Sequence, residues 1–156
     1  MKEKSIGDPG KYLGGKLRKV ELNSGIDCWA FSSTQYVQDD VNNFEQYLKV
    51  KGKKLLAKAP APFQNNYRPE IEMTEELGED DASYYHSLIG VLKWIVELER
   101  VDISTEVLML SSHLALPRSG HLDAVLHIFA YMKKKHTSEM VYDPTEVDFD
   151  CAAFTK

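Results

Sequence analysis

Adjacent carboxylates are the first residues in this chain whose types and spacing could do chemistry. They occur in Tyr36-Val37-Gln38-Asp39-Asp40. Paired carboxylates hold two Mg²⁺ ions when a tight hairpin turn aims both at one point. Here the pair stands one residue too far from the tyrosine for such a turn. The segment also has a helical pattern, and neighbouring helix residues point about 100° apart. Asp39 and Asp40 therefore read as solvated carboxylates. Asp148 and Asp150 could start a nuclease-type carboxylate cluster, but no further acid follows before Lys156, so they read as an acidic tail.

The remaining reactive types are no better placed. The five histidines are His86, His113, His121, His127 and His136. His121 and His127 fall on opposite sides of a helix, and neither has a Cys or His three or four residues on, so no zinc pattern exists. Ser111-Ser112-His113 is no triad, because successive helix residues do not face one another. Gly14-Gly15 lacks the Gly-Lys-Ser/Thr run of a phosphate loop. Cys28 has no activating base in sequence and reads as a buried strand cysteine. The expectation is no catalytic residue, no metal ligand and no cofactor within this chain.

Local patterns predict the elements that position these residues. Leu13, Leu17 and Val20 spread along a strand-like stretch at 12–20. Asn23-Ser24-Gly25 signals a turn, and 26–31 reads as the return strand, giving a hairpin over 12–31. Ser32-x-x-Gln35 has capping-box spacing. Val37, Val41, Phe44 and Leu48 then mark one face of a helix over 33–51, closed by Gly52. Residues 53–79 hold Pro60, Pro62, Pro69 and an acidic run, and read as a linker or as a segment lying across another surface. Asp80-Asp81 opens a second helix with Tyr85, Leu88, Ile89, Leu92, Ile95 and Val96 on its apolar face. Arg100-Val101 looks like a break. A third helix over 102–116 has Asp102 as its N-cap and Pro117 as its end. Ser119 caps a fourth over 120–135, and Met140-Val141-Tyr142 is a short strand. Short connections make the last three helices antiparallel neighbours. The predicted class is α+β: an N-terminal β-hairpin, a helix, a long loop and a three-helix bundle. Its organisation is 1–52 hairpin and helix, 53–79 irregular acidic linker, 80–142 helical region and 143–156 polar tail.

Composition bounds the rest. The 156 residues carry a net charge of -5, with 43% hydrophobic and 28% charged residues. That excludes a wholly disordered chain, a collagen-like repeat and a disulfide mini-protein. No apolar run is long enough to span a bilayer and none follows Met1-Lys2-Glu3-Lys4 as a secretory signal would, so a cytoplasmic or nuclear chain with no membrane partner is expected. The charge is uneven: net +4 over 1–58, -8 over 59–110 and -1 over 111–156. Lysine runs at 16–19, 49–58 and 133–135 point to a polyanion, or to ordinary surface favoured by helix dipoles.

In order, several segments resemble one family. Glu-Lys-Ser-Ile-Gly-Asp-Pro-Gly-Lys-Tyr-Leu-Gly-Gly-Lys-Leu at 3–17 is similar to the stretch after the catalytic hairpin of copia-type LTR-retrotransposon reverse transcriptases. Residues 28–48, with Ser33, Gln35-Tyr36-Val37 and Phe44, resemble that family's next helix. Tyr84-Tyr85-His86-Ser87-Leu88-Ile89-Gly90 resembles its Tyr-Arg-Ser-Leu-Ile-Gly signature, and Arg100-Val101-Asp102-Ile103 its Arg-Pro-Asp-Ile. Leu110-Ser111-Ser112, Pro117, His121, Ala124 and Tyr131-Met132-Lys133 follow its later series. The match covers about residues 3–142, with Val101 in place of a usual Pro and His86 in place of a frequent Arg. The resemblance implies the distal palm and thumb of an RNA-directed DNA polymerase without its catalytic carboxylates. Mg²⁺ would belong to the longer enzyme. Tyr12, Leu13, Gly14, Gly15, Lys16, Leu17 and Arg18 would form the primer grip, with the glycines admitting a nucleic-acid backbone and Lys16, Arg18 and Lys19 neutralising phosphates. The implied partner is an RNA/DNA template–primer. A detached thumb would instead offer an apolar face to a protein partner or to itself.

Overall fold

Alternating strand residues near the N-terminus and three-and-four spacing further on do build a mixed fold. The computed structural model describes residues 10–50, 52, 54–57 and 59–145. These form an α+β arrangement of four antiparallel strands and four α-helices. The strands are β1 (Lys11–Tyr12), β2 (Gly15–Glu21), β3 (Asp27–Ser32) and β4 (Met140–Tyr142), in that spatial order. The helices are α1 (Thr34–Val50), α2 (Glu79–Leu98), α3 (Ser104–Ser111) and α4 (Ser119–Lys134).

The expected strand over 12–20 is in fact two strands. Leu13 and Gly14 form a two-residue turn with Tyr12 opposite Gly15. Their φ angles are 49° and 95°, the double positive φ of the turn that suits a twisted hairpin. The second turn lies where Asn23-Ser24-Gly25 signals it: Gly25 has φ 77°, and Leu22 N–H donates to Ile26 O at 2.9 Å. β2 and β3 are the interior strands, and β3 pairs Phe31 with Leu17 on one side and with Met140 on the other.

α1 buries the predicted face, Val37, Val41, Phe44 and Leu48, and Gly52, two residues past its end, has φ 69°. Its start differs from the expected capping box. Ser32 Oγ turns to Ser138 O, and Gln35 donates to Asp39. The Glu99 carboxylate instead accepts from Ser33 N–H and Ser33 Oγ, each at 2.8 Å. A negative group at a helix start also suits the helix dipole.

α2 begins one residue before the predicted acids, and its buried set includes Leu98 while Val96 is only partly buried. The third helix is shorter than predicted. Arg100 grips Asp102 through two bonds of 2.7 and 2.8 Å, so Asp102 sits in a 3-10 turn over Val101–Ile103 instead of capping a helix. Ser111 and Ser112 hydroxyls take the Val107 and Met109 carbonyls, which competes with the backbone ladder, and α3 stops at Ser111 rather than at Pro117. α4 starts one residue early, with Arg118 as N-cap. Arg118 N–H donates to His121 Nδ1, a role an acidic residue would fill in a capping box.

The long connection is strapped to α4. His121 Nε2 donates to Pro69 O, His127 Nε2 to Ala61 O, and Gly120 N–H to Thr74 Oγ1. Leu77 N–H reaches Pro117 O, and Arg118 reaches Thr74 O. One contiguous core joins the buried stripes of all four helices, and Phe44 stacks on Phe129 with ring centres 4.4 Å apart. The first helix thus shares its interior with the last three. Each buried Leu or Phe contributes roughly 1.5–3 kcal/mol of transfer free energy. Among the described residues no helix is long and apolar enough to cross a membrane.

Candidate nucleic-acid interface

The β1–β2 turn pushes two large apolar side chains into water. Tyr12 is 61% and Leu13 54% exposed. Leu13 holds a left-handed φ of 49°, a conformation that costs a side chain with a Cβ about 1–2 kcal/mol. Strain and exposure coincide at one residue.

Beside the tip, Lys11 stands directly opposite Lys16. Like charges so placed repel. Neither lysine forms an ion pair among the described residues. Arg18 shares their face by strand alternation but is already engaged, because its Nε and Nη2 meet the Glu139 carboxylate at 2.7 and 2.6 Å. That hydrogen-bonded pairing raises the Arg18 pKa above its ordinary value. Lys19 lies on the other face, 5.3 Å from the Trp29 ring centre.

The glycines serve the chain's own packing. The Phe31 ring fills the space that a Gly15 Cβ would take, and the Tyr36 ring comes within 2.9 Å of a Gly14 Cβ position. Leu17 is half-buried and lines a groove with Phe31, Leu98 and Tyr142. Of the seven residues singled out in this hairpin, Tyr12, Leu13 and Lys16 face outward without a described bond, Arg18 is paired, and Gly14, Gly15 and Leu17 support the turn.

A second basic locus emerges only in three dimensions. The C-terminal ends of α1 and α4 lie together, and a cavity of about 360 Å³ is lined by Lys49, Lys54, Lys133 and Lys134 over an apolar floor of Leu55 and Ala130. Lys133 pairs with Glu45 at 2.6 Å. The two lysine runs stand some eighty positions apart, so only the packing of α1 on α4 could reveal their meeting. Along α1 this cavity is ~20 Å from Tyr36, at 1.5 Å per residue.

The carboxylates at Asp39 and Asp40 do not suit a magnesium pair. Both are on α1; Asp39 accepts from Gln35 at 3.0 Å, and burial raises Asp40 above the usual carboxylate range. Among the described residues no group of three or more His, Cys, Asp or Glu is placed to hold a metal. Asp148 and Asp150 lie outside the described residues. Cys28 is buried, and burial pushes its thiol pKa up, away from nucleophilic use.

The other motif residues do structural work. Tyr85 Oη donates to Leu110 O at 2.7 Å, His86 Nε2 to Leu114 O at 2.7 Å, and Tyr131 Oη to Asp102 at 3.0 Å. No family model, no curated protein and no solved structure matches this chain.

Proposed function

We propose that the chain is the primer-grip and thumb part of a copia-type retrotransposon reverse transcriptase. It contributes contacts to an RNA/DNA template–primer and carries no catalytic metal site of its own. One observation carries this reading: a strained turn exposes Tyr12 and Leu13, and next to it Lys11 and Lys16 stand opposed on the sheet face away from Tyr12. A phosphate between those ammonium groups relieves their repulsion, and the exposed Tyr12 and Leu13 offer a separate apolar contact to a base at the tip. The ordered motif series at 3–142 supports it independently. In this reading α2, α3 and α4 form the thumb, and the lysine-lined cavity is a second phosphate contact.

The test is binding of a labelled RNA/DNA template–primer across a salt series. Affinity is expected to fall steeply with salt, and Lys16→Glu is expected to weaken it. Binding indifferent to salt, or absent at low salt, contradicts the reading.

A second reading, a small non-catalytic helical interaction module derived from a retroelement, is favoured by one specific feature. Trp94, Val101, Leu108 and Met109 are exposed on α2, α3 and the turn between them. Val96, Val107 and Leu108 line a groove of about 400 Å³ there. Exposed apolar residues grouped on one side of a fold favour association. Light scattering checks it: concentration-dependent dimer supports the module, and a clean monomer that recruits nothing opposes it.

A further inference from the structure

The cavity between the C-terminal ends of α1 and α4 holds more positive charge than its surroundings neutralise. Lys49, Lys54, Lys133 and Lys134 stand around it, with Glu45 as the one acid of its lining. Glu45 is taken by Lys133 at 2.6 Å. Lys49, Lys54 and Lys134 are exposed and form no ion pair among the described residues. An ammonium group has three donors and no acceptor, so these three can meet only an acceptor from outside the chain or water.

Helix ends explain part of this cluster and not the whole. Lys49 lies in the last turn of α1, and Lys133 and Lys134 in the last turn of α4, where the macrodipole favours cations. Lys54 belongs to neither helix and is placed by its neighbour Leu55, which packs against the core. Four lysines against one glutamate leave three positive charges. Each helix C-terminus offsets about half a charge, so about two positive charges remain without a counterion. The packing of Phe44 of α1 on Phe129 of α4 holds them together against their repulsion. The floor beneath them is apolar: Leu55, Leu56, Ala57 and Ala130.

A residual charge of about two over an apolar floor matches a dianion carried on a carbon skeleton. We propose that this cavity binds a terminal phosphomonoester, with its phosphate held by Lys49, Lys54 and Lys134 and the group that bears it resting on Leu55 and Ala130. A phosphomonoester carries about −1.5 to −2 charges at pH 7 and three acceptor oxygens, one for each unpaired lysine, whereas a phosphate inside a strand carries a single charge. The proposal narrows the second phosphate contact to a terminal one. It rests on the nucleic-acid reading only where the 5′ end of a strand is the source, since a free nucleotide presents the same group. The ligand also supplies a pH signature. Its second ionisation lies near pH 6, so the dianion is lost as pH falls below that value and affinity falls with it. Beside the cavity, His136 bonds the Lys133 carbonyl, and a proton gained there at low pH favours an anion, the opposite sign.

The experiment titrates uridine 5′-monophosphate, its methyl diester and uridine into the full chain by calorimetry at low salt, at about pH 5 and about pH 7.5. Saturable binding of the monophosphate is expected, tighter at the higher pH and tighter than that of the diester, with none for uridine. A Lys54→Gln/Lys134→Gln variant changes exposed positions only, so it does not threaten folding, and it should weaken binding about tenfold. A short single strand is then compared with and without a 5′-phosphate. A gain from the 5′-phosphate that the double variant abolishes assigns the site to strand ends. No gain assigns it to free nucleotides, and either result upholds the site. No binding of the monophosphate, equal binding of uridine or the diester, an affinity that does not change with pH, or an unaffected double variant overturns it. Loss of template–primer binding in Lys16→Glu with monophosphate binding intact bears on the hairpin alone, so the two readings fail separately.

Discussion

Glu99, at the end of α2, accepts both hydrogens that Ser33 offers ahead of α1, the amide and the hydroxyl, each at 2.8 Å. The same Oε1 accepts from Ser138 Oγ at 2.7 Å, just before β4. One buried carboxylate oxygen thus fastens the sheet, the first helix and the second helix at a single point. This joint fixes how the hairpin projects from the helical core.

Removing that joint has a large expected cost. Glu99→Ala leaves Ser33 N–H and two hydroxyls without their acceptor in a buried setting, which should destabilise the fold by on the order of 3 kcal/mol. Urea denaturation of the variant measures this. A change below about 0.5 kcal/mol, the scale of an ordinary surface substitution, would show that the carboxylate is not structurally required.

Leu13 gives a prediction of the opposite sign. Its φ of 49° is unfavourable for leucine and easy for glycine. Leu13→Gly should therefore stabilise the chain by about 1 kcal/mol, while removing an exposed apolar contact from the hairpin tip. Thermal melts and template–primer binding read the two effects together, with higher stability and weaker binding expected. Gly15→Ala should do the reverse to the fold, since the Phe31 ring occupies that space; a loss of about 1–3 kcal/mol is expected from overpacking.

Stability should also depend on pH through His113. Burial first, then the neighbouring His121, lowers its pKa, while Glu70 opposes them. The His113 and His121 rings stack at 4.3 Å. A depressed histidine favours the neutral form in the folded chain. Its contribution is complete above the unfolded value near 6.5 and is lost as pH falls through the lower folded value. Denaturant midpoints should drop between about pH 7.5 and pH 5, and His113→Gln should flatten that slope. An unchanged slope in the variant would place the titration elsewhere.

The core offers a calibration. Phe129 is 1% exposed and stacks on Phe44 across the α1–α4 contact. Phe129→Ala should cost about 3–5 kcal/mol. Calorimetry checks it, and a loss under about 1 kcal/mol would mean that the two helices do not share a packed interior.

How much of this was legible in the chain depends on how local each signal is. The face of α1 could be read because four apolar residues repeat at helical spacing and nothing competes. The turn at Leu13-Gly14 could not, because leucine is a poor marker of positive φ and the flanking residues still alternate. α3 ends early because the Ser111 and Ser112 hydroxyls take carbonyls its next turn would need; Pro117 was the louder but later signal. The strap at 59–77 carries no periodicity, since its order comes from His121, His127 and Arg118 of α4 and the residues beside it. The hairpin lysines were visible in sequence, but their mutual opposition and the capture of Arg18 by Glu139 are matters of register and of contacts 121 positions apart. The meeting of Lys49 and Lys54 with Lys133 and Lys134 exists only once α4 is packed.

The most direct test of the central claim is the salt dependence of template–primer affinity in the native chain and in a Lys11→Gln/Lys16→Gln variant. Each phosphate contact adds about one unit to the slope of log affinity against log salt. The double variant should therefore bind more weakly, with a slope reduced by about one unit, because the two lysines share one phosphate. An unchanged affinity and slope would contradict the account, because the opposed lysines of the hairpin would then hold no phosphate at all.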